Sequence, residues 1–524
     1  METLFQGNAK ECPQPVRAEL QGKLPEWLSG TLIRNGPALH TFGTTSYNHW
    51  FDGMALLHSF TFRGGEVHYR SKYLQSDAFR KNSEANRIVI SEFGTMAHPD
   101  PCRNVFAKAF SYLSYSVPEF TDNCLINVMR CGEDFYATTE TNFMRRIDAS
   151  SLNTLEKVDY TKYVAINIAT SHPHYEPDGT VYNVGTSIAD KGHTKYTFIR
   201  VPPTLPGERP NSGLRGLEVL CTLPSRWRFS PSYYHSFGLT PHYLVFIEQP
   251  LKLDLVKLAT AYFRGANWAS CMTWLPEDKS RFYLIDRRTG KALTTHFVSE
   301  PFVVYHHVNA FERGGCVVCD VVAYDDNSLY DMFYLRNLRK AAADFAEDNK
   351  MSCLPQCRRY VLPLGVGKES PVSQNLVSLA GSKASAVKEE GGHVVLTPEL
   401  LAEGIELPRI NYNYNGKEYR YIYAAQIEWR PVPTKIVKVD THTGEKLEWQ
   451  EGGCWPAEPV FVPTPGAREE DDGVVLSSIV TSEPGKPAFL LVLDARSFRE
   501  VARATVHGAD VPIDLHGLFL PDPK

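Results

Sequence analysis

The chain has 524 residues, with 55 Lys and Arg against 60 Asp and Glu for a formal charge of −5, and 43% of its residues are hydrophobic. Such a length can bury a large core, while a near-balanced charge with scattered Lys and Arg gives no basic stripe for nucleic acid, so no nucleic-acid partner is expected. Eleven cysteines are too sparse for a disulfide scaffold, and with no apolar leader and no run of 18 apolar residues the chain is expected to be cytosolic.

In chain order, the first break in the strand-like rhythm is the aromatic segment at about 106–120, where Phe106, Phe110, Tyr115 and Phe120 are mixed with Ser and Pro. Next comes a turn signal, an apolar residue followed by Asp-x-x-Ser or Asp-x-x-Thr, at Asp148, and it recurs at Asp286, Asp440 and Asp494 between short strand-like runs. Asp at such a place ends one strand and turns the chain into the next, as an outer hairpin of a sheet requires. His172 and His235 each stand nine residues before a predicted strand, at Val181 and Leu244. The segment at about 251–271 places Leu251, Leu255, Leu258, Tyr262 and Phe263 at helical spacing, which predicts an amphipathic helix packed on the body or resting on a bilayer.

The apolar run Pro301–Tyr305 then delivers the pair His306-His307, a Glu-Arg-Gly-Gly turn, and a second buried strand containing Cys316 and Cys319. Residues three apart on a strand point to opposite faces, so these two thiols cannot share a zinc and are expected to be structural. A further helix is predicted over about 328–349, a surface excursion over 365–392, and strands again from Pro408. His516 follows in Asp-Leu-His-Gly.

Successive steps between His172, His235 and His306 are 63 and 71 residues, and His516 lies 210 residues beyond, three steps of 70. A period of that size predicts a radial β repeat whose axial side chains meet, so the fold expected is an all-β propeller forming a single domain over 1–524, with the three irregular segments as cap insertions. Four neutral imidazoles would leave a divalent ion its full charge and open coordination positions. This suits ferrous iron that must bind dioxygen, although imidazole alone does not exclude copper or zinc. Glu140, Glu406 and Glu458 stand in apolar or Pro-rich surroundings, and such carboxylates must be paired if buried, as partners of metal-bound histidines are.

Tyr47-Asn-His-Trp-Phe-Asp-Gly, Glu92-Phe-Gly-Thr, Ser171-His-Pro-His, Tyr234-His-Ser-Phe-Gly, His306-His-Val-Asn, Glu458-Pro-Val-Phe and Leu515-His-Gly-Leu resemble the carotenoid cleavage oxygenase family over nearly the whole chain. The resemblance implies a seven-bladed β-propeller with Fe(2+) held by His172, His235, His306 and His516 and supported by Glu140, Glu406 and Glu458. It further implies that Phe51, Tyr233, Tyr324 and Trp455 border the carotenoid tunnel, and that Ile126 stands near the open iron position where the family carries a smaller residue. The reaction implied is scission of the central 15,15′ double bond of β-carotene by O2 to give two molecules of retinal. The alternatives are eccentric cleavage, retinoid isomerohydrolysis, and a non-enzymatic propeller scaffold. Leu255, Leu258, Tyr262 and Phe263 would then form a monotopic membrane patch.

Overall fold

The structure, a computed structural model, describes residues 2–97, 120–190, 193–203, 214–261, 265–341, 344, 354–428 and 430–523. Its strands assemble into seven sheets of four to six strands, the blades of a propeller, together with two small two-stranded ribbons. The blades are numbered here from the one that holds both the strand Gly30–Leu39 and the C-terminal strand His516–Pro521.

Blade two runs from Asn127–Cys131 to Thr154–Asp159, and blade three from Ile168–Ala169 and His174–Tyr175 to Glu218–Pro224. Blade four begins at Gly238–Leu239, blade five at Val303–Arg313, blade six at Ile405–Arg409, and blade seven at Cys454–Pro456 and Val460–Pro463. The 210-residue step from His306 to His516 therefore spans three blade intervals, through blades six and seven, as the spacing predicts.

Both ends of the chain close the ring. Glu19–Gly22 adds an outer strand to blade seven by pairing with Glu500–Thr505, and His516–Pro521 pairs antiparallel with Gly30–Leu39 in blade one. Because a closed ring exposes few edges, strands in its middle are covered on both faces and read as unbroken apolar runs. Cys316–Tyr324 is such a strand, with all nine residues buried. Cys316 and Val318 pack toward blade six, and Val317, Cys319 and Val321 toward blade four, so the two thiols do occupy opposite faces. The one charge in this strand, Asp320, is neutralised by Arg359 at 2.8 Å and accepts from Tyr419 Oη at 2.6 Å.

The four Asp turns make the outer hairpins. Asp148 Oδ1 and Asp494 Oδ1 each accept a backbone N–H three residues on, from Ser151 and Ser497 at 2.7 Å, and Asp286 and Asp440 do the same for Thr289 and Thr443.

Among the described residues neither predicted long helix runs unbroken. Leu251–Leu253 is a strand paired with Met272–Trp274, followed by a short α-helix, Leu255–Thr260, and a 3-10 turn, Ala269–Cys271. Leu251 is fully buried because strand pairing and core packing outweigh the 3.6-residue spacing of its leucines. Over 328–341 there are two single-turn helices, Leu329–Met332 and Leu335–Leu338, split where Tyr334 adopts extended backbone. The excursion also differs from its prediction, since Ser385–Lys388 and Val394–Thr397 form a hairpin that widens blade four. Of the segment at 106–120, all but Phe120 lies outside the described residues, as do Tyr262 and Phe263.

Candidate metal centre

Each blade places one functional side chain near the axis, at or just before its innermost strand or in an adjoining hairpin. Blades one, three, four and five supply His516, His172, His235 and His306, while blades two, six and seven supply Glu140, Glu406 and Glu458. The four histidines each offer one ring nitrogen to a common point, all within 4.8 Å of one another. Nε2 of His172 and Nε2 of His235 face each other at 2.9 Å, and the ring centroids of His172 and His516 are 4.5 Å apart.

Outer nitrogens of three rings are fixed by the three carboxylates. His516 Nδ1 is 2.8 Å from Glu458 Oε1, His306 Nδ1 is 2.6 Å from Glu406 Oε2, and His235 Nδ1 meets Glu140 Oε1. A proton on Nδ1 leaves the Nε2 lone pair facing inward, the tautomer a metal ligand needs. Inward-facing Nε2 of His306 is buried without a hydrogen-bond partner, and a buried polar group in that condition calls for a ligand. Burial holds His172 well below the ordinary imidazole pKa, with His516, His235 and His306 adding to the effect. Burial also lowers His516 to about 4, whereas at His306 burial is outweighed by the Glu406 carboxylate, which raises its pKa. The four inward ring nitrogens are a donor set that fits a divalent transition metal.

Further groups hold the carboxylates. Glu458 is gripped by Arg34 Nη1 at 2.7 Å and by Arg409 Nε and Nη2 at 2.9 and 3.0 Å. Burial would raise this carboxyl, but Arg409, His516 and Arg34 together keep it well below the usual range. Arg34 also pairs with buried Asp514, which in turn meets His58 Nε2 at 3.0 Å. Tyr324 Oη donates to Glu406 at 3.0 Å and Tyr233 Oη to Glu140 at 2.8 Å. Leu407, at φ 50°, turns its own N–H back onto Glu406. A left-handed leucine is a strained conformation, stored here beside the carboxylate that orients His306.

The pair at 306 and 307 separates by side. A register shift in Val303–Arg313 lets His306 join the cluster while His307 points away, its Nδ1 3.7 Å from Cys319 Sγ and its pKa lowered by burial to about 3. His174 is satisfied by Asn415 Oδ1 and the Phe237 carbonyl.

A deep cavity reaches the centre and is lined by His235, His306 and His516 together with aromatic and aliphatic side chains. Phe51, Tyr233 and Tyr324 lie on its wall, so the two tyrosines present ring to cavity and hydroxyl to carboxylate. Ile126 also lines it, immediately before the innermost strand of blade two, at the address where four other blades carry histidine. Trp455 is not on the described wall. It packs behind, in the cluster of Trp50, Leu335 and Val432, because on strand Cys454–Pro456 the neighbouring Pro456 takes the cavity-facing place. Leu258 is 5% exposed and lines the cavity, so it cannot serve as a membrane-facing residue. Arg34, Arg409, Asp514 and Tyr330 escaped the sequence reading. The available signal was Asp514, two residues before a predicted ligand.

A hub of four imidazoles at the centre of seven blades, opening onto an aromatic cavity, defines a propeller protein that could hold a metal ion beside a bound apolar molecule. The family model described as retinal pigment epithelial membrane protein matches residues 5–521, and the chain belongs to that family. Among its relatives are β,β-carotene 15,15′-dioxygenases of Rattus norvegicus, 60% identical over 100% of this chain and 92% of that protein, and of Homo sapiens, 57% identical over 100% and 95%. A mitochondrial carotenoid-cleaving dioxygenase of Homo sapiens is 43% identical over 98% of this chain and 89% of its own length. Among solved structures, a Synechocystis apocarotenoid oxygenase variant superposes with a TM-score of 0.76 at 22% identity, covering 99% of this chain and 98% of that one, which establishes the same fold.

Proposed function

We propose that the chain is an iron-dependent dioxygenase that cleaves β-carotene at its central 15,15′ double bond, giving two molecules of retinal. The observation that carries this reading is the convergence of His172, His235, His306 and His516 at the inner end of an aromatic-lined cavity, together with full-length identity of 57–60% to relatives bearing that name. A cobalt-substituted Synechocystis oxygenase of the same fold supports a divalent metal in such a site.

When bound, ferrous iron would supply the activation of O2 at coordination positions the imidazoles leave open. Everything else falls to the chain. Glu140, Glu406 and Glu458 hold the ring tautomers, and Arg34 and Arg409 keep Glu458 ionised at physiological pH. Phe51, Phe93, Tyr233 and Tyr324 hold the polyene by apolar contact and exclude water. Their ring faces stabilise positive charge on it by about 1–2 kcal/mol per well-placed, desolvated ring. No side chain is required as acid, base or nucleophile.

The test is incubation of iron-loaded protein with β-carotene and O2, followed by chromatographic identification of products. Retinal at about two per β-carotene is expected from the equation of central cleavage; long apocarotenals would replace this reading with eccentric cleavage.

The substrate partitions into lipid, so we also place the protein at the cytosolic surface of a bilayer. Supporting this, Phe229 and Val256 are 47% and 61% exposed, and Leu255 N donates to Phe229 O at 3.0 Å, putting the two apolar side chains on neighbouring segments. Arg228 lies over the Phe229 ring, the mixture of aromatic and basic groups that suits an interface. No described helix is long and apolar enough to cross a membrane.

A further inference from the structure

The cavity wall contains one carboxyl that the metal centre does not use. Glu92 is 3% exposed and lines the cavity alongside Phe93, Phe120 and Thr121. Its Oε1 accepts from Thr121 Oγ1 at 2.6 Å. Among the described residues nothing bonds its Oε2, and Oε2 is not one of the enclosed atoms left without a partner. The second oxygen therefore opens onto the cavity.

The surroundings favour the neutral form of this carboxyl. Burial pushes its pKa well above the ordinary carboxylate range; the Thr121 hydrogen bond opposes this, and Asp52 and Asp122 push it further up. Among the described residues no basic side chain is bonded to it, in contrast to Glu458. A neutral carboxylic acid is an O–H donor, and in a wall of hydrocarbon it has no favourable partner on a purely apolar polyene.

Its position relative to the metal centre is fixed through two links. Thr141 Oγ1 donates to Thr121 O at 2.9 Å, and Thr141 follows Glu140, the partner of His235. On the other side, the Phe93 and Tyr330 rings are 5.2 Å apart, and Tyr330 Oη is 2.6 Å from Tyr233 Oη. Glu92 thus lies on the same wall as the Glu140–Tyr233 pair but set back from the imidazoles.

We propose that Glu92 is a specificity-determining residue, donating a hydrogen bond from its open carboxyl oxygen to the oxygen atom of a polyene that bears an aldehyde group. This rests on the carotenoid-cleaving reading. The aldehyde could belong to a substrate already cut at one end or to the newly made product, and the same donor would serve both.

The test compares Glu92→Leu and Glu92→Gln with wild type in the iron-loaded full chain. The readouts are kcat/KM for an aldehyde-terminated apocarotenoid relative to β-carotene, the inhibition constant of all-trans-retinal, and retinal binding to metal-free protein followed by tryptophan fluorescence. Glu92→Leu should lower the kcat/KM ratio, or weaken retinal, by about three- to tenfold, the worth of one hydrogen bond. Glu92→Gln, which keeps an N–H donor at similar reach and still accepts from Thr121, should stay within about twofold of wild type on that scale. A change confined to the inhibition constant assigns the contact to the product aldehyde, and one in the ratio assigns it to the substrate. Equal shifts for aldehyde and hydrocarbon, or equal behaviour of the Leu and Gln variants, would overturn the proposal. Should wild type cleave neither polyene, the carotenoid-cleaving reading fails, while the retinal-binding comparison still decides whether Glu92 meets a carbonyl.

Discussion

Glu458 accepts from His516 Nδ1 at 2.8 Å with one oxygen while Arg34 binds the other at 2.7 Å and Arg409 spans both. The carboxylate that orients one ligand is thereby the centre of a buried ionic cluster linking blades one, six and seven. Its neutralisation should act on stability and metal affinity together.

Glu458→Gln leaves Arg34 and Arg409 facing an amide in a buried site. Removing one partner of a buried ion pair costs about 3–5 kcal/mol, and loss of an outer-sphere carboxylate about 10- to 100-fold in metal affinity. Chemical denaturation and metal competition titration should show both losses; unchanged metal affinity would mean that His516 is oriented by packing alone.

Tyr233→Phe removes the hydroxyl that donates to Glu140 at 2.8 Å but keeps the ring on the cavity wall. Metal affinity should fall by about tenfold, the worth of a hydrogen bond to a charged group at the lower end of its range. Equal affinity in a competition titration would show that Glu140 needs no such support.

His40 is buried with Nε2 3.0 Å from the Trp50 carbonyl, and burial lowers its pKa to about 4. Its folded pKa is below the unfolded value of about 6.5, so its contribution to stability is complete above that pH and is lost as pH falls toward the folded value. His40→Gln keeps an N–H donor without the titration. Between pH 6.5 and 5.5, wild type should lose about 1 kcal/mol more unfolding free energy than the variant, measured from urea midpoints; parallel curves would contradict the assignment.

For the membrane surface, Phe229→Asp with Val256→Asp should reduce co-flotation with phospholipid vesicles while leaving the melting temperature within a few degrees of wild type, since exposed substitutions away from packing cost about 0.5 kcal/mol or less. Leu258→Asp should do the reverse, lowering the melting temperature by burying a charge. Flotation that depends on Leu258 but not on Phe229 would return the contact to the originally expected residues.

Much of the hub was readable because its residues carry local signals. His172, His235 and His306 stand at equivalent distances from strands, and the Asp148, Asp286, Asp440 and Asp494 turns mark four outer hairpins. What could not be read depends on pairing across the chain. Glu19–Gly22 meets Glu500–Thr505, and Arg34 meets Asp514, with no short-range pattern to announce either. Leu251 to Phe263 misled for the opposite reason: a helical spacing was present, but pairing of Leu251–Leu253 with Met272–Trp274 took the first residues into a ribbon and turned Leu258 inward. The resemblance places Trp455 on the cavity, whereas the alternation of side chains along its strand sets Pro456 among the lining residues and Trp455 against Trp50 and Val432.

The central claim is that one divalent metal is held jointly by His172, His235, His306 and His516. Iron content per chain, measured after anaerobic reconstitution and desalting, tests it most directly. About one iron should remain on the wild type, and each His→Ala variant, shown by circular dichroism to be folded, should retain far less. Wild-type iron content in any of the four variants would contradict the account.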